Sequence, residues 1–249
     1  MKTSHELWDQ AVREYLTAND GESVEIIFPT FTRYIGDLAG KVVVDYGCGN
    51  GRYARMLEAM GAGQVIGVDM SHTMITAAIA ADPASRVQYY ELPDNRLAPL
   101  SDGSVDIVVA NMVFMMSPSK SELIQSFSEI QRVLKPGGKL IYCITHPAFI
   151  DKDAYDCRRA FEDDGFHYLK EGYRYRFILK GEHDEDIDGG FYDYHYTLTT
   201  YIQTTIDAGF TLLVFEELTY PDEIIVKHAI REEFLEFPQS IVVVSSKGL

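Results

Sequence analysis

Residues 42–57 read VVVDYGCGNGRYARML, and the other patterns of the chain can be placed around this stretch. A β-branched apolar run ends at Asp45, and a helical pattern begins after three glycines at alternate positions, Gly47, Gly49 and Gly51. A glycine-rich turn from a strand into a helix lets backbone N–H groups and the helix N-terminus approach a ligand closely. Because Asp45 adds a negative charge beside this turn, the turn suits a ligand with a positively charged group, not only a diphosphate.

Length and composition favour one acidic globular domain. The 249 residues fit a single domain, residues 1–249, with a modest insertion. The formal net charge is −16 and the sequence has no basic patch, so we expect no nucleic acid as a partner. The sequence has no run of about 18 apolar residues and no apolar signal core, so we expect a cytoplasmic protein without a membrane partner. The cysteines and acidic residues lack metal-ligand spacing, so no metal is expected.

Five apolar segments alternate with helical patterns in the first part of the chain. Strands that are apolar on both faces and are joined through helices predict a parallel sheet with right-handed crossovers. Two later segments, 211–215 and 240–245, predict an antiparallel hairpin at one edge. We therefore expect an α/β fold with a Rossmann-like, seven-stranded, mostly parallel sheet and helices on both faces. The first five predicted strands are 42–45, 64–69, 87–91, 105–111 and 139–145.

Two segments lie outside this alternation. Residues 1–38 have helical spacing and predict an N-terminal helical cover. Residues 147–196 are rich in charged and aromatic residues and predict an insertion after the fifth strand, with a strand pair at 173–179 and 191–196. The aromatic side chains of this insertion could wall a ligand or form the insertion's own small core, and the sequence leaves both open.

Three motifs together resemble those of one known family. They are the acid-x-Gly-x-Gly-x-Gly pattern that starts at Asp45, the acid Asp69 at the end of the second strand, and Leu-Lys-Pro-Gly-Gly at residues 134–138. In these motifs the chain resembles the class I S-adenosylmethionine-dependent methyltransferases, in particular the small-molecule methyltransferase type 11 group. The resemblance covers residues 40–145 and, more loosely, 197–249. It implies S-adenosyl-L-methionine as cofactor, S-adenosylhomocysteine as product, and methyl transfer to a small-molecule acceptor by in-line displacement.

The resemblance also implies which residues hold the cofactor. Asp69 would accept the two ribose hydroxyls, Asp45 would hold the ammonium group directly or through water, and Asp94 would meet the adenine amino group. Asn111 would lie where cofactor and acceptor meet. Tyr15 resembles an N-terminal aromatic residue that covers the cofactor, and its helical spacing is equally typical of a core tyrosine. The expected cofactor-binding residues are Tyr15, Asp45, Gly47, Gly49, Gly51, Asp69, Met70, Asp94, Asn95 and Asn111.

The acceptor side depends on the insertion and on two histidines. The family commonly places acceptor-specific segments after the fifth strand, so the resemblance implies that residues 147–196 cover the substrate. His146 ends the fifth strand and His195 lies in the insertion, which makes both candidates for a catalytic base or a substrate contact. A structural histidine at a strand end is the alternative for each. O- or N-methylation is expected, and the sequence does not decide between O-, N- and C-methylation. An aromatic compound or a natural-product intermediate is the expected acceptor, and the sequence indicates no oligomeric state.

A competing interpretation uses the same glycines. Gly49-x-Gly51-x-x-Ala54 fits the relaxed dinucleotide fingerprint, and Asp69 lies at a suitable distance for a ribose, so an NAD-dependent oxidoreductase is the alternative. Asp45 argues against it because that carboxylate would lie near the diphosphate, and the edge hairpin with an insertion before it also argues against it. A protein that keeps this fold for binding without catalysis is a third class. All of the motif residues are present, which favours an enzyme.

Overall fold

The centre of the protein is a seven-stranded sheet. The computed structural model describes residues 23–92, 94–154, 156–181 and 185–248. The strands of this sheet are β1 (Val42–Tyr46), β2 (Gln64–Asp69), β3 (Gln88–Glu91), β4 (Val105–Asn111), β5 (Leu134–Thr145), β9 (Phe210–Leu218) and β10 (Ser240–Lys247). They follow the order β3-β2-β1-β4-β5-β10-β9, parallel from β3 to β5 and antiparallel where β10 pairs with β5 and β9. The prediction of a mostly parallel sheet with an antiparallel edge is confirmed.

Helices cover both faces of this sheet. The α-helices of the described residues are α1 (Phe28–Ile35), α2 (Arg52–Ala59), α3 (His72–Ala81), α4 (Lys120–Val133), α5 (Leu198–Asp207) and α6 (Asp222–His228). The apolar residues of α1, α2 and α6 pack on one face, and those of α4 and α5 pack on the other. Burial of these apolar stripes against the strands supplies the main stabilisation of the fold.

The order of the strands reverses beside β1. The chain adds β2 and β3 on one side of β1 and then crosses to β4 on the other side. The connections that follow β1 and β4 therefore leave the sheet in opposite directions and open a crevice at the carboxyl ends of these strands. Ligands of open α/β sheets bind in such a crevice, so the fold itself indicates where the functional site lies.

The turn between β1 and α2 requires glycine at two positions. Gly47 has a φ of 73°, and a Cβ atom there would lie 2.4 Å from Val113 Cγ2. Gly51 has a φ of 74°, and a Cβ atom there would lie 2.4 Å from the hydroxyl oxygen of Tyr89. The left-handed backbone and the close approach both disfavour a side chain at these positions. The Gly47 N–H donates to the Val68 carbonyl at 2.8 Å, which ties the turn to the end of β2.

The insertion after β5 forms a second, antiparallel sheet. Its strands pair in sequence order, and they are β6 (Cys157–Phe161), β7 (Tyr173–Lys180) and β8 (Asp186–His195). The predicted strand pair corresponds to β7 and β8, while β6 has no alternating pattern that predicts it. Residues paired directly across strands lie on the same face of a sheet. The register pairs Phe177 with Arg159 on one side and with Phe191 on the other, so these three residues share one face.

The predicted N-terminal cover, 1–38, falls partly within the described residues. Residues 1–22 lie outside them. A single π-helical turn, Ser23–Ile27, leads into α1, and Phe31 and Ile35 of that helix are buried in the core on the α2 face of the sheet. This part of the segment is therefore a structural layer of the domain. In the described part of the chain, no helix is long and apolar enough to cross a membrane.

Candidate active site

A cavity of about 200 Å³ lies in the crevice between the two sheets. One wall consists of the turn after β1 and the ends of β2 and β4, and the other is one face of the insertion sheet. The insertion contributes Cys157, Arg159, Phe177, Leu179 and Asp193 to the lining. Of the predicted cofactor-binding residues, those that line the cavity are Gly47, Gly49, Asp69, Met70, Asp94, Asn95 and Asn111.

The carboxylate of Asp69 is fixed at the end of β2 by backbone groups. Its Oδ2 accepts a hydrogen bond from the Gly49 N–H at 2.8 Å, and its Oδ1 accepts one from the Ser71 N–H at 2.9 Å. Ser71 also caps α3, since its hydroxyl accepts from the Met74 N–H at 3.2 Å. Hydrogen bonds to a charged acceptor are strong, so the turn, the strand end and the helix start hold this carboxylate in one orientation.

Asp45 lies beneath the same turn and does not line the cavity. Its side chain is buried, and Oδ2 has no hydrogen-bond partner among the described residues. Burial raises the pKa of Asp45 to about 7, the backbone N–H of Ala54 opposes that rise, and the nearby Asp69 carboxylate adds to it. A buried carboxyl oxygen without a partner is costly for the fold and favours a positively charged or hydrogen-bond-donating ligand beside it.

Two other predicted cofactor residues are not brought to the cavity lining. Gly51 begins α2 in a left-handed conformation and packs against Tyr89, so its role in the described structure is to allow the turn. Tyr15 lies outside the described residues. Both assignments stay predictions.

The segment after β4 contributes methionines to the cavity. Met112, Met115 and Met116 line it, whereas Phe114 is buried in the core and stacks on Phe127 with ring centroids 4.3 Å apart. Met112 has a φ of 54°, a strained conformation for a side chain with a Cβ atom, and its N–H donates to the Cys143 carbonyl at 3.0 Å. Strain of this kind is concentrated at ligand sites, which agrees with the position of Met112 in the cavity wall.

His146 is held at the end of β5 by partners outside the cavity lining. Its Nδ1 accepts a hydrogen bond from the Ala148 N–H at 3.2 Å, and its Nε2 lies 2.8 Å from Glu217 Oε1. Because Nδ1 accepts, Nε2 carries the proton and donates to Glu217. The side chain is buried and does not line the cavity. These contacts start the short 3₁₀ turn Pro147–Phe149, and no cavity contact supports the predicted catalytic role.

His195 lies on β8 beyond the edge of the cavity. Its Nε2 is 2.6 Å from the Tyr168 carbonyl oxygen, and its ring packs against Phe166 and Tyr168 with centroids 5.1 and 5.6 Å away. Burial lowers the pKa of His195. The side chain does not line the cavity, so its predicted catalytic role also stays without support from the geometry.

The cavity contains a carboxyl group that the sequence analysis did not single out. Asp193 lies on β8, two residues before His195, and its exposed fraction is 7%. Burial raises the pKa of Asp193 to about 7, against the opposing effects of Arg159 and of Tyr175, whose hydroxyl lies 3.5 Å from Oδ2. An acid at an inward-facing position of the aromatic strand 191–196 is the signal that could have identified it.

Comparisons with known proteins identify the type of domain and the fold. The sequence profile of a methyltransferase domain matches residues 44–142. An uncharacterized protein of Haemophilus influenzae is 29% identical over 84% of this chain and 82% of its own length. N-demethylindolmycin N-methyltransferase of Streptomyces griseus is 27% identical over 72% of this chain and 73% of its own length. A solved S-adenosylmethionine-dependent methyltransferase of Mesorhizobium loti has the same fold, with a TM-score of 0.68, 24% identity, and coverage of 88% of this chain and 97% of that one.

The domain match, the fold and the three motifs agree with one another. The matched residues contain the second half of β1, the glycine turn, Asp69 and the Leu-Lys-Pro-Gly-Gly segment, which starts β5. None of these matches supports the NAD-dependent alternative. The chain carries a methyltransferase domain over residues 44–142 and has the fold of the S-adenosylmethionine-dependent methyltransferases, enzymes that use S-adenosyl-L-methionine as the methyl donor.

Proposed function

We propose that this enzyme transfers the methyl group to an oxygen or nitrogen atom of a small apolar acceptor, and that cofactor and acceptor bind side by side in the cavity. The two-sided lining carries this proposal. The glycine turn and Asp69 form one wall, and the inner face of the insertion sheet forms the other. Residues 147–196 would then cover the acceptor, and the β1–β2 side would hold the cofactor.

The residues of the β1–β2 side suit the cofactor. Asp69, held by two backbone N–H groups, presents a carboxylate at the position that suits ribose hydroxyls. The absence of a side chain at Gly47 lets the backbone approach the methionine moiety. The partnerless oxygen of Asp45 suits an ammonium group, directly or through a water molecule. Asp94 and Asn95, which line the cavity after β3, are suited to polar contacts with the adenine.

The chain's own contribution to the reaction is alignment. When bound, S-adenosyl-L-methionine supplies a methyl group on a positively charged sulfur, from which an acceptor lone pair can take it by in-line displacement. Apolar walls that hold the acceptor in one orientation raise the rate by proximity and keep water out. The side chains suited to this are Met112, Met115, Phe177 and Leu179.

The apolar lining also favours the class of acceptor. Pockets with this lining bind flat or apolar small molecules and fix them through a few polar groups. An aromatic compound or a natural-product intermediate fits that description. The similarity to N-demethylindolmycin N-methyltransferase supports a small-molecule acceptor.

A calorimetric titration of the purified protein with S-adenosylhomocysteine, run beside a titration with NAD, tests the cofactor side of the proposal. We expect S-adenosylhomocysteine to bind with one site per chain and NAD to give no heat of binding. Binding of NAD without binding of S-adenosylhomocysteine would contradict the proposal. A screen of small molecules for transfer of a labelled methyl group would then test the acceptor side of the proposal.

A further inference from the structure

We propose that Asp193 binds the acceptor and receives its proton, and that the acceptor is an apolar molecule carrying an amine. The proposal rests on the proposed function, because it assigns the acceptor to the insertion side of the same cavity. Three observations carry it: the face on which Asp193 lies, the burial of its carboxyl group, and the apolar surroundings.

The pairing of the insertion strands aims Asp193 at the cavity. Tyr175 on β7 pairs directly with Asp193 on β8, and Phe177 pairs with Phe191 two residues along. Since side chains alternate along a strand, Asp193 shares the face of Phe177, and Phe177 lines the cavity. Arg159 reaches the same face from β6 through its pairing with Phe177. The carboxyl group is therefore part of the wall that the proposed acceptor would contact.

The carboxyl group of Asp193 has few hydrogen-bond partners within the fold. Its hydrogen bond from the Tyr175 hydroxyl is long, at 3.5 Å. The charged or titratable groups that face it are Arg159, Tyr175 and Tyr201, from β6, β7 and α5. A carboxylate accepts several hydrogen bonds, and leaving it short of partners in a buried site costs stability. Buried carboxyl groups that cost stability and line a cavity are typical of functional sites.

An amine suits the surroundings of Asp193 better than a hydroxyl group does. A protonated amine forms a charge-assisted hydrogen bond with a buried carboxylate, and this interaction is about twice as strong as a neutral hydrogen bond. The net charge of −16 also draws cations toward the protein. Burial raises the pKa of Asp193 to about 7, which makes it a stronger proton acceptor than an exposed aspartate.

The proton and electron transfers balance on this assignment. Asp193 takes one proton from the bound ammonium group, which leaves a neutral amine with a lone pair. That lone pair forms the new N–C bond while the C–S bond breaks, and the electron pair of the broken bond stays on sulfur. The methylated nitrogen then carries the positive charge, and Asp193 returns its proton to solvent.

Binding of matched amine and alcohol probes tests the assignment without knowledge of the natural acceptor. The probes are benzylamine against benzyl alcohol and tryptamine against tryptophol, added to protein saturated with S-adenosylhomocysteine. Dissociation constants are measured by ligand-observed NMR at about pH 8, above the pKa of Asp193. The proteins are the wild type, Asp193→Asn, and Asp186→Asn as the matched control. Asp186 lies on the same strand but on the opposite face, where it pairs with Arg158 and Lys180.

We expect the wild type and Asp186→Asn to bind at least one amine about tenfold more tightly than its alcohol. Asp193→Asn should bind both members of that pair equally, and its unchanged affinity for S-adenosylhomocysteine would show that it is folded. The proposal is overturned if the amine preference survives in Asp193→Asn, if alcohols match amines in the wild type, or if neither amine binds. A wild type that fails to bind S-adenosylhomocysteine would instead overturn the proposed function.

Discussion

The two walls of the cavity are built from different parts of the polypeptide. The wall from β1 and β2 is mainly backbone: Gly47 turns at a positive φ, and the N–H groups of Gly49 and Ser71 hold the Asp69 carboxylate. The wall from the insertion consists of side chains, such as Phe177, that alternate along three paired strands. Where the backbone itself forms the wall, an added side chain has almost no room. Where side chains form the wall, a single residue can be replaced without moving the backbone. Substitutions should therefore affect cofactor binding at the first wall and acceptor binding at the second.

The largest loss of cofactor affinity is expected for Gly47→Ala. The new Cβ atom would lie 2.4 Å from Val113 Cγ2, and the residue would keep a φ of 73°. We expect a loss of roughly 3 kcal/mol in the free energy of unfolding, from backbone strain and overpacking together. The affinity for S-adenosylhomocysteine should fall below detection. Urea unfolding and calorimetry measure the two effects.

Gly103→Ala is the matched control for this substitution. Gly103 has a φ of 60°, but a Cβ atom there would meet nothing within 4 Å, and the residue does not line the cavity. It should lose about 1 kcal/mol from strain alone and keep its affinity for S-adenosylhomocysteine. Equal losses of stability and of affinity in the two variants would contradict the claim that the backbone wall depends on close packing at Gly47.

The second prediction concerns Asp69→Ala. It removes the charged acceptor for the ribose hydroxyls, so the affinity for S-adenosylhomocysteine should fall by about 10- to 100-fold. Glu91→Ala serves as the control, because Glu91 pairs with Asp69 across β2 and β3 but bonds to exposed His72 at 2.8 Å. Calorimetry measures the affinity of both variants for S-adenosylhomocysteine. An unchanged affinity of Asp69→Ala would remove Asp69 from the cofactor site.

The third prediction uses the buried carboxyl group of the insertion wall. The pKa of Asp193 rises from 3.8 to about 7 on folding, so between these values the folded chain binds a proton that the unfolded chain does not. The contribution of Asp193 to the free energy of unfolding therefore falls as the pH rises from about 4 to about 7. Asp193→Asn removes this loss and should be more stable at about pH 8, by up to about 4 kcal/mol.

The difference between wild type and Asp193→Asn should close as the pH approaches 4, and urea unfolding across this range measures it. Asp45→Asn provides the comparison on the other wall, since burial also raises the pKa of Asp45 to about 7. It should show the same direction of stabilisation but bind S-adenosylhomocysteine more weakly. A wild type more stable than Asp193→Asn at all pH values would show that Asp193 serves the fold.

The smallest effect is expected for His146→Gln. The substitution removes the hydrogen bond to Glu217, whose side chain is 53% exposed, and alters the start of the following turn. We expect a loss of about 1 kcal/mol in the free energy of unfolding and no change in the affinity for S-adenosylhomocysteine. Thermal or urea unfolding checks the first effect. A large loss of cofactor affinity would show that His146 contributes to the backbone wall.

The sequence predicts the β1–β2 wall well because its residues lie close together in the chain. Asp45, the glycines and Asp69 belong to a strand–turn–helix–strand unit with fixed spacing, and local sterics dictate its shape. Gly47, Gly49, Asp69 and the adjacent Met70 line the cavity for that reason. What spacing did not reveal is that Asp45 lies beneath the turn and that Gly51 supports α2.

The insertion wall is less predictable because it depends on pairing between distant segments. Arg159 and Asp193 are 34 positions apart in the numbering and reach one face only through the register of β7. The sequence predicts that His146 and His195 lie at strand ends, but it does not predict the directions or the partners of their side chains. Each finds a partner, Glu217 or the Tyr168 carbonyl, that no local pattern predicts. The sequence does not predict β6, because apolar and polar residues do not alternate in residues 157–161.

A crystal structure of the protein with S-adenosylhomocysteine most directly tests whether one wall of the cavity binds the cofactor and the other binds the acceptor. We expect the ribose hydroxyls on the Asp69 carboxylate, the homocysteine moiety over Gly47, and the sulfur atom open to the part of the cavity that Asp193 lines. A ligand bound elsewhere, or a sulfur atom turned away from the insertion sheet, would contradict the assignment of donor and acceptor to the two walls.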